Sequence, residues 1–198
     1  GGGMICGILL AAGNARRFGS NKLMYPLPDG TPIAIAAARH LKQCVDHVIA
    51  VVRPEDKVLS NLLHTEGVST IVPENTGQGM SGSLVSAIRT TQDAEGWLIS
   101  LADMPWIKPQ TISKIAMVIE EGADIAVPYY GDQRGHPVGF SRRFLPDLLL
   151  LTGDKGASEL LRTNSTLVNI VQCDDSGILK DIDRPRDVLA KSDLISNA

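Results

Sequence analysis

Two basic residues and one carboxylate are the side chains of this sequence best placed to take part in chemistry. Arg17 and Lys22 follow a run of small residues, and each can add fixed positive charge where a triphosphate would lie. Asp103 ends an apolar stretch just before a proline, and a carboxylate there can hold Mg²⁺ against phosphate oxygens. These residue types predict chemistry on a phosphorylated substrate.

The small residues before Arg17 follow a predicted buried strand that starts at Ile5. From Leu10 through Ala11, Ala12 and Gly13 the backbone N–H groups can approach a ligand closely, and such a concave turn favours anions. The alternative is an ordinary turn with two solvated bases. The Gly-x-x-x-x-Gly-Lys phosphate loop and the Gly-x-Gly-x-x-Gly dinucleotide fingerprint are both absent from the sequence.

Composition restricts the class of partner. The 198 residues carry 19 basic and 22 acidic side chains, a formal net charge of −3, with few aromatics and no basic run, so we expect no nucleic-acid partner. The three cysteines form no Cys-x-x-Cys pair, which favours a reducing cytoplasm. No long apolar span or signal peptide is visible, so we expect neither membrane insertion nor secretion.

Apolar strand patterns alternate with helical ones along the chain, which predicts βαβ units and a largely parallel sheet. We expect one domain over residues 4–198, with a nucleotide-binding part at about 4–105 and an acceptor-binding part at about 106–198. Residues 1–3, three glycines before Met4, have the composition of an expression-tag remnant. A first helix is predicted to start with Thr31 as its N-cap, and strands are predicted at 47–52, 70–73 and 123–128.

A glycine- and serine-rich stretch, residues 75–84, leads into a helix predicted at 84–91. Gly79 and Ser83 could line a nucleotide and use the helix N-terminus to bind an anion or a carbonyl group. The alternative is that Ser81 or Ser83 simply caps this helix. Asp103 has a capping alternative too, but it precedes the helix predicted near Pro109 by several residues.

Taken together, the motifs resemble those of the MobA-like NTP transferases, and most closely the molybdenum cofactor cytidylyltransferases. The shared strings are Leu-Ala-Ala-Gly-x-Ala-x-Arg-x-Gly-x-x-Lys at 10–22, Gly-Met-Ser-x-Ser-Leu at 79–84 and Leu-Ala-Asp-Met-Pro at 101–105. Gly-His-Pro-Val, Gly-Asp-x-Gly and Asp-Ile-Asp-x-Pro-x-Asp follow at 135–138, 153–156 and 181–187. The resemblance implies a Rossmann-like, three-layer αβα sandwich of the nucleotide-diphospho-sugar transferase type, with a mostly parallel mixed sheet.

The resemblance also implies roles for later residues. His136 and Pro137, and Gly153 with Asp154, would lie near the acceptor, and Asp183 would be a second metal carboxylate beside Asp103. Each has a structural alternative: a turn pinned by His136, a helix capped by Asp154, and a helix capped by Asp183. Arg186 replaces an acid that is common in the family, which affects only a surface contact.

The reaction implied by the resemblance is Mg²⁺-dependent transfer of CMP from CTP to molybdopterin cofactor, with release of pyrophosphate. Arg17 and Lys22 would stabilise the triphosphate and the leaving pyrophosphate. The resemblance also implies a molybdoenzyme or its chaperone as a partner. Two alternatives stay open: a nucleotidyltransferase that uses a sugar phosphate or another acceptor, and a nucleotide-dependent chaperone that delivers cofactor to a molybdoenzyme.

Overall fold

Strands and helices alternate through the first half of the chain. The computed structural model describes residues 4–13, 21–74 and 79–188. The first elements are β1 (Ile5–Ala11), a 3₁₀ turn (Lys22–Met24), α1 (Ile33–Cys44), β2 (His47–Val52), α2 (Lys57–Thr65), β3 (Ser69–Ile71), α3 (Gly79–Thr90) and β4 (Gly96–Leu101).

The second half breaks this alternation with a group of shorter strands. Its elements are α4 (Pro109–Glu120), β5 (Ile125–Tyr130), β6 (Gln133–Arg134), β7 (Val138–Ser141), α5 (Leu145–Leu149), α6 (Ser158–Thr163) and β8 (Val168–Gln172). Residues 185–188 are again helical.

The strands form one sheet in the order β3-β2-β1-β4-β7-β5-β6, with β8 paired to β5. The pairs β3–β2, β2–β1, β1–β4 and β5–β8 are parallel, whereas β7 runs antiparallel to both β4 and β5. This confirms the predicted α/β class and the mostly parallel mixed sheet. The parallel half places the carboxyl ends of β1, β2 and β4 along one edge.

Helices cover both faces of the sheet. Successive residues of a strand point to opposite faces, so each strand contributes side chains to both helix layers. On β1, Ile5 and Leu9 pack in the cluster that holds residues of α1 and α4, whereas Cys6 and Ile8 pack in the cluster that holds residues of α3 and α5. A Cβ at Gly7 would lie 2.9 Å from Leu41 Cγ, so glycine allows α1 to approach β1 closely. The layers match the predicted αβα sandwich.

Two helix starts differ from the sequence prediction. α1 begins at Ile33 and the extended Pro32 precedes it, so Thr31 is not the N-cap. α3 begins at Gly79 rather than residue 84, which puts Ser81 and Ser83 inside the helix and makes the capping alternative for both wrong. The physical reason is packing, since Ser81 is fully buried and Ser83 nearly so.

Candidate active site

A cavity of about 720 Å³ lies at the carboxyl ends of β1, β2 and β4. Open α/β sheets bind their ligands at this edge, and the volume is in the range of small-molecule sites. Every predicted nucleotide-binding residue lies in its wall, as do two of the predicted charged residues. The cavity is lined by Leu10, Ala11, Ala12, Gly13, Asn21, Lys22, Leu23, Arg53, Pro54, Glu55, Pro73, Gly79, Met80, Ser83, Leu101 and Asp103.

The end of β1 forms one wall of the cavity. Ala102 N donates a hydrogen bond to Leu10 O at 3.0 Å, which keeps the end of β1 beside the end of β4. Ala11 is buried, whereas Ala12 is half-buried and Gly13 is exposed. A Cβ at Gly13 would meet nothing within 4 Å, so the turn presents free space and backbone to a ligand.

Lys22 and Asp103 form the charged centre of the cavity. Lys22 Nζ lies 3.1 Å from Asp103 Oδ2, and the two side chains are 14% and 20% exposed. Burial, the largest influence, raises the pKa of Asp103, Lys22 opposes that rise, and the Asp181 carboxylate adds to it. A cation that reaches this carboxylate would therefore favour its ionised form further.

The chain segment that contains Asp183 lies directly against Asp103. Ile182 N donates to Asp103 O at 2.9 Å. Asp187 Oδ2 accepts hydrogen bonds from the N–H groups of Asp183 and Arg184, both at 2.9 Å, as the third residue of a helix does in a capping box. The Asp187 side chain thus holds the start of this helix, and the backbone of Asp183 is fixed next to Asp103.

The described residues contain no group of three or more His, Cys, Asp or Glu side chains that could hold a metal ion by themselves. A divalent cation at Asp103 would therefore need further oxygen ligands from the substrate or from water. Mg²⁺ is commonly bound in this way, through one or two carboxylates together with phosphate oxygens.

The Gly153–Gly156 turn packs on the first turn of α3. Ser81 N donates to Gly153 O at 3.2 Å, and a Cβ at Gly79 would overlap the Asp154 carboxylate. Helix α6 has Ala157 in its N-cap position without a side-chain cap, so the alternative role of Asp154 as a helix cap is wrong. Gly153 and Asp154 therefore lie beside cavity residues without lining the cavity.

His136 and Pro137 lie outside the cavity wall, just before β7. His136 N donates to Ile178 O at 3.0 Å, and the His136–Pro137 peptide bond is cis. Because β7 runs antiparallel to β4, with Val138 opposite Ile99, this segment reaches the edge of the sheet where β4 ends. Burial, with a smaller contribution from Arg134, lowers the pKa of His136 to about 4, so its imidazole is neutral at pH 7.

The sequence prediction missed several polar residues of the site. Arg53 and Glu55 line the cavity directly after β2, and Asn21 lines it just before Lys22. The signal was present, since β2 was predicted to its correct ends and a charged run at the carboxyl end of a parallel strand is well placed for a site. The predicted catalytic Arg17 lies outside the described residues.

A comparison with known domains identifies the family of this chain. A MobA-like NTP transferase domain matches residues 7–169. The chain belongs to the MobA-like NTP transferase family. It is thus a nucleotidyltransferase, and the predicted resemblance is confirmed at the level of the family.

Relatives and solved structures agree with this family assignment. The purine catabolism protein PucB of Bacillus subtilis is 30% identical over 92% of this chain and 93% of its own. Rv0371c of Mycobacterium tuberculosis is 28% identical, with a TM-score of 0.83 over 95% of this chain and 96% of its own. A second Rv0371c structure, described as a complex with manganese, has a TM-score of 0.79.

A more distant structure shows the same fold. A nucleotidyl transferase from Methanothermobacter is 21% identical, with a TM-score of 0.82 over 99% of both chains. The nucleotidyltransferase fold implied by the sequence is therefore confirmed. Among the helices in the described part of the chain, none has the length and apolarity needed to cross a membrane.

Proposed function

We propose that this MobA-like NTP transferase moves CMP from CTP to the terminal phosphate of molybdopterin cofactor and releases pyrophosphate. The carrying observation is the Lys22–Asp103 ion pair inside a cavity walled by residues 10–13. A lysine, a carboxylate and an open backbone turn are the groups needed to position a triphosphate and to neutralise its charge.

The preference for a cytosine base rests on Ala12. The guanylyl-transferring branch of the resembled family usually has Leu-Ala-Gly-Gly where this chain has Leu-Ala-Ala-Gly, so Ala12 takes the place of a glycine. Ala12 lines the cavity. Its methyl group narrows the space available to a purine base, so exclusion by size would favour the smaller pyrimidine. Pro73 and Gly79 line the same cavity.

We assign Mg²⁺ to Asp103, with Asp183 as the second carboxylate. Two observations support this assignment. Asp103 offers a hard oxygen on the cavity wall, and Ile182, the residue before Asp183, donates its N–H to Asp103 O, although Asp183 does not line the cavity. The manganese complex of Rv0371c, which is 26% identical, supports a divalent cation in this family. When bound, the ion neutralises charge on the phosphate oxygens.

The chemistry needs little covalent work from the protein. An oxygen of the acceptor phosphate attacks the α-phosphorus of CTP in line, the new O–Pα bond forms, and the bond between Pα and the bridging oxygen to Pβ breaks. Pyrophosphate carries away the electron pair of that bond. Lys22 would donate to the phosphate oxygens as charge moves to the leaving group, and Arg17 would add a second positive charge.

We propose that four residues border the acceptor: His136, Pro137, Gly153 and Asp154. Two placements support this: His136 lies at the edge of the sheet where β4 ends, and Asp154 lies beside Gly79. At pH 7 the neutral His136 would offer a hydrogen bond to the acceptor rather than a charge. The proposed recipient of the product is a molybdoenzyme.

A product assay tests the proposal. The purified protein is incubated with each of the four NTPs, Mg²⁺ and either molybdopterin or a sugar phosphate, and the products are identified by mass spectrometry. The proposal expects the cytosine dinucleotide of molybdopterin with equimolar pyrophosphate. A sugar nucleotide would identify the first alternative. In a parallel incubation that also contains a molybdoenzyme, nucleotide-dependent transfer of the cofactor to that enzyme without pyrophosphate release would identify the chaperone.

A further inference from the structure

Asp56 is a buried carboxylate that connects two polar residues of the cavity without lining the cavity itself. It is 8% exposed. Its Oδ2 accepts from Arg53 Nε at 3.1 Å, and its Oδ1 accepts from Arg53 Nη2 at 3.3 Å and from Asn21 Nδ2 at 3.0 Å. Arg53 and Asn21 both line the cavity. One carboxylate thus holds both a guanidinium group and an amide, and it lies closer to Arg53 Nε than Glu55 Oε1 does, at 3.1 against 3.6 Å.

The amide continues this connection to Lys22. Asn21 Oδ1 accepts from Leu23 N at 3.1 Å and caps the 3₁₀ turn that begins with Lys22. Leu23 is 7% exposed and anchors that turn in the core. The Lys22 side chain then reaches Asp103. A continuous series of hydrogen bonds and one turn therefore runs from Asp56 to the charged centre of the cavity.

We propose that Asp56 is a positioning residue, which sets the orientation of Arg53 directly and of Lys22 through Asn21. This inference rests on the proposed nucleotidyl transfer and adds a residue that the family resemblance did not include. Arg53 would then meet the nucleotide from the carboxyl end of β2, while Lys22 meets it beside β4. Two cations held at fixed places can neutralise a triphosphate without reorganising during the reaction.

The role requires a carboxylate with both oxygens accepting. The fixed fork of Arg53 matches two carboxylate oxygens, and a third donor comes from Asn21. In Asp56→Asn one acceptor becomes an NH₂ group that faces N–H donors. The partners would then turn away, and displacement of a catalytic group by about 1 Å can cost on the order of 10²-fold in rate.

The test compares Asp56→Asn with Glu66→Gln. Glu66 accepts from Arg39 Nη2 at 2.7 Å and lies outside the cavity lining, so its variant removes another Arg–carboxylate ion pair, a more exposed one, away from the site. Turnover per bound nucleotide is measured, with the binding stoichiometry from titration calorimetry. We expect Asp56→Asn to bind one CTP with kcat lowered about 10–100-fold, and Glu66→Gln to keep the wild-type kcat.

A rescue experiment separates positioning from simple loss of folded protein. Asn21→Asp keeps the acceptor for Leu23 N but places two carboxylates together, which repel each other. Adding Asp56→Asn to that variant restores an amide–carboxylate pair in reversed order. We therefore expect the double variant to have a higher kcat than Asn21→Asp alone. Losses that multiply instead would overturn the inference.

The outcome is also readable without activity. In a crystal structure of Asp56→Asn we expect the Lys22 Nζ to Asp103 Oδ2 separation to exceed the present 3.1 Å. An unchanged separation together with an unchanged kcat would overturn the positioning role. A wild-type protein that binds CTP but transfers CMP to no acceptor would contradict the proposed function, while the crystal structure would still decide the role of Asp56.

Discussion

Lys22 and Asp103 are 81 positions apart in the sequence, yet their charged atoms lie 3.1 Å apart in the cavity. The two side chains come from different elements, a 3₁₀ turn that follows β1 and the residues just after β4. Because β1 and β4 are neighbouring parallel strands, their carboxyl ends bring the two groups together. The pairing of these strands thus assembles the centre of the site.

Lys22→Ala should lower kcat/KM for nucleotidyl transfer by about 10²–10³, the usual cost of removing an electrostatic stabiliser. The overall fold should persist, because Lys22 contributes its charge to the cavity rather than a side chain to the core. Steady-state kinetics and thermal unfolding measure both effects. Lys57→Ala is the control, since Lys57 is exposed on α2 outside the cavity lining. Near-normal kcat/KM in Lys22→Ala would show that transfer does not need the charge of Lys22.

Ala12→Gly should relax the choice of base. Removing the methyl group widens the cavity beside residue 12, so GTP should be used better relative to CTP than by the wild type. The measurement is kcat/KM for both nucleotides, with the same acceptor and with Mg²⁺. If the kcat/KM of the wild type for GTP equalled or exceeded its kcat/KM for CTP, the steric explanation would be wrong.

Gly79→Ala should destabilise the protein for two separate reasons. Gly79 has φ +60°, which costs an L-residue roughly 1–2 kcal/mol, and the new Cβ would overlap the Asp154 carboxylate. Gly131→Ala is the matched control, because Gly131 has φ +62° and open space around the Cβ position. Urea unfolding should show a larger loss at Gly79, and Asp154→Ala should recover part of it. Equal losses at both glycines would contradict the contact with Asp154.

His136 should make stability depend on pH in the acidic range. Burial lowers its pKa from 6.5 to about 4, so between these values the unfolded chain binds a proton that the folded protein does not. The free energy of unfolding should therefore fall as the pH is lowered from about 6.5 to about 4. His136→Gln should flatten this slope, whereas His64→Gln, at an exposed histidine, should keep it. An identical slope in His136→Gln would show that His136 titrates normally.

Much of this site was predictable because strand ends can be recognised from sequence. The apolar run before Ala11 predicts β1, β2 was predicted to its correct ends, and Asp103 follows a run that predicts β4. Parallel neighbours align their carboxyl ends, so short strings placed after such strands must meet at one edge. This is why residues 10–13, Lys22 and Asp103 line one cavity.

Long-range side-chain contacts were not predictable in the same way. Asp56 is buried, and its side chain is bonded to Arg53 and Asn21, which the sequence pattern does not pair. The early start of α3 likewise depends on a turn far along the chain, since Ser81 N bonds to Gly153 O. Local propensity contains no information about either partner.

The transfer of the α-phosphate is the most direct test of the account. CTP labelled with ³²P at the α-phosphate is incubated with the protein, Mg²⁺ and molybdopterin, and the labelled products are separated while pyrophosphate is measured. Nucleotidyl transfer at this centre predicts label in the acceptor, one pyrophosphate for each transfer, and loss of both in folded Asp103→Asn. Label that stays in free nucleotide, or full transfer by Asp103→Asn, would contradict nucleotidyl transfer at the Lys22–Asp103 centre.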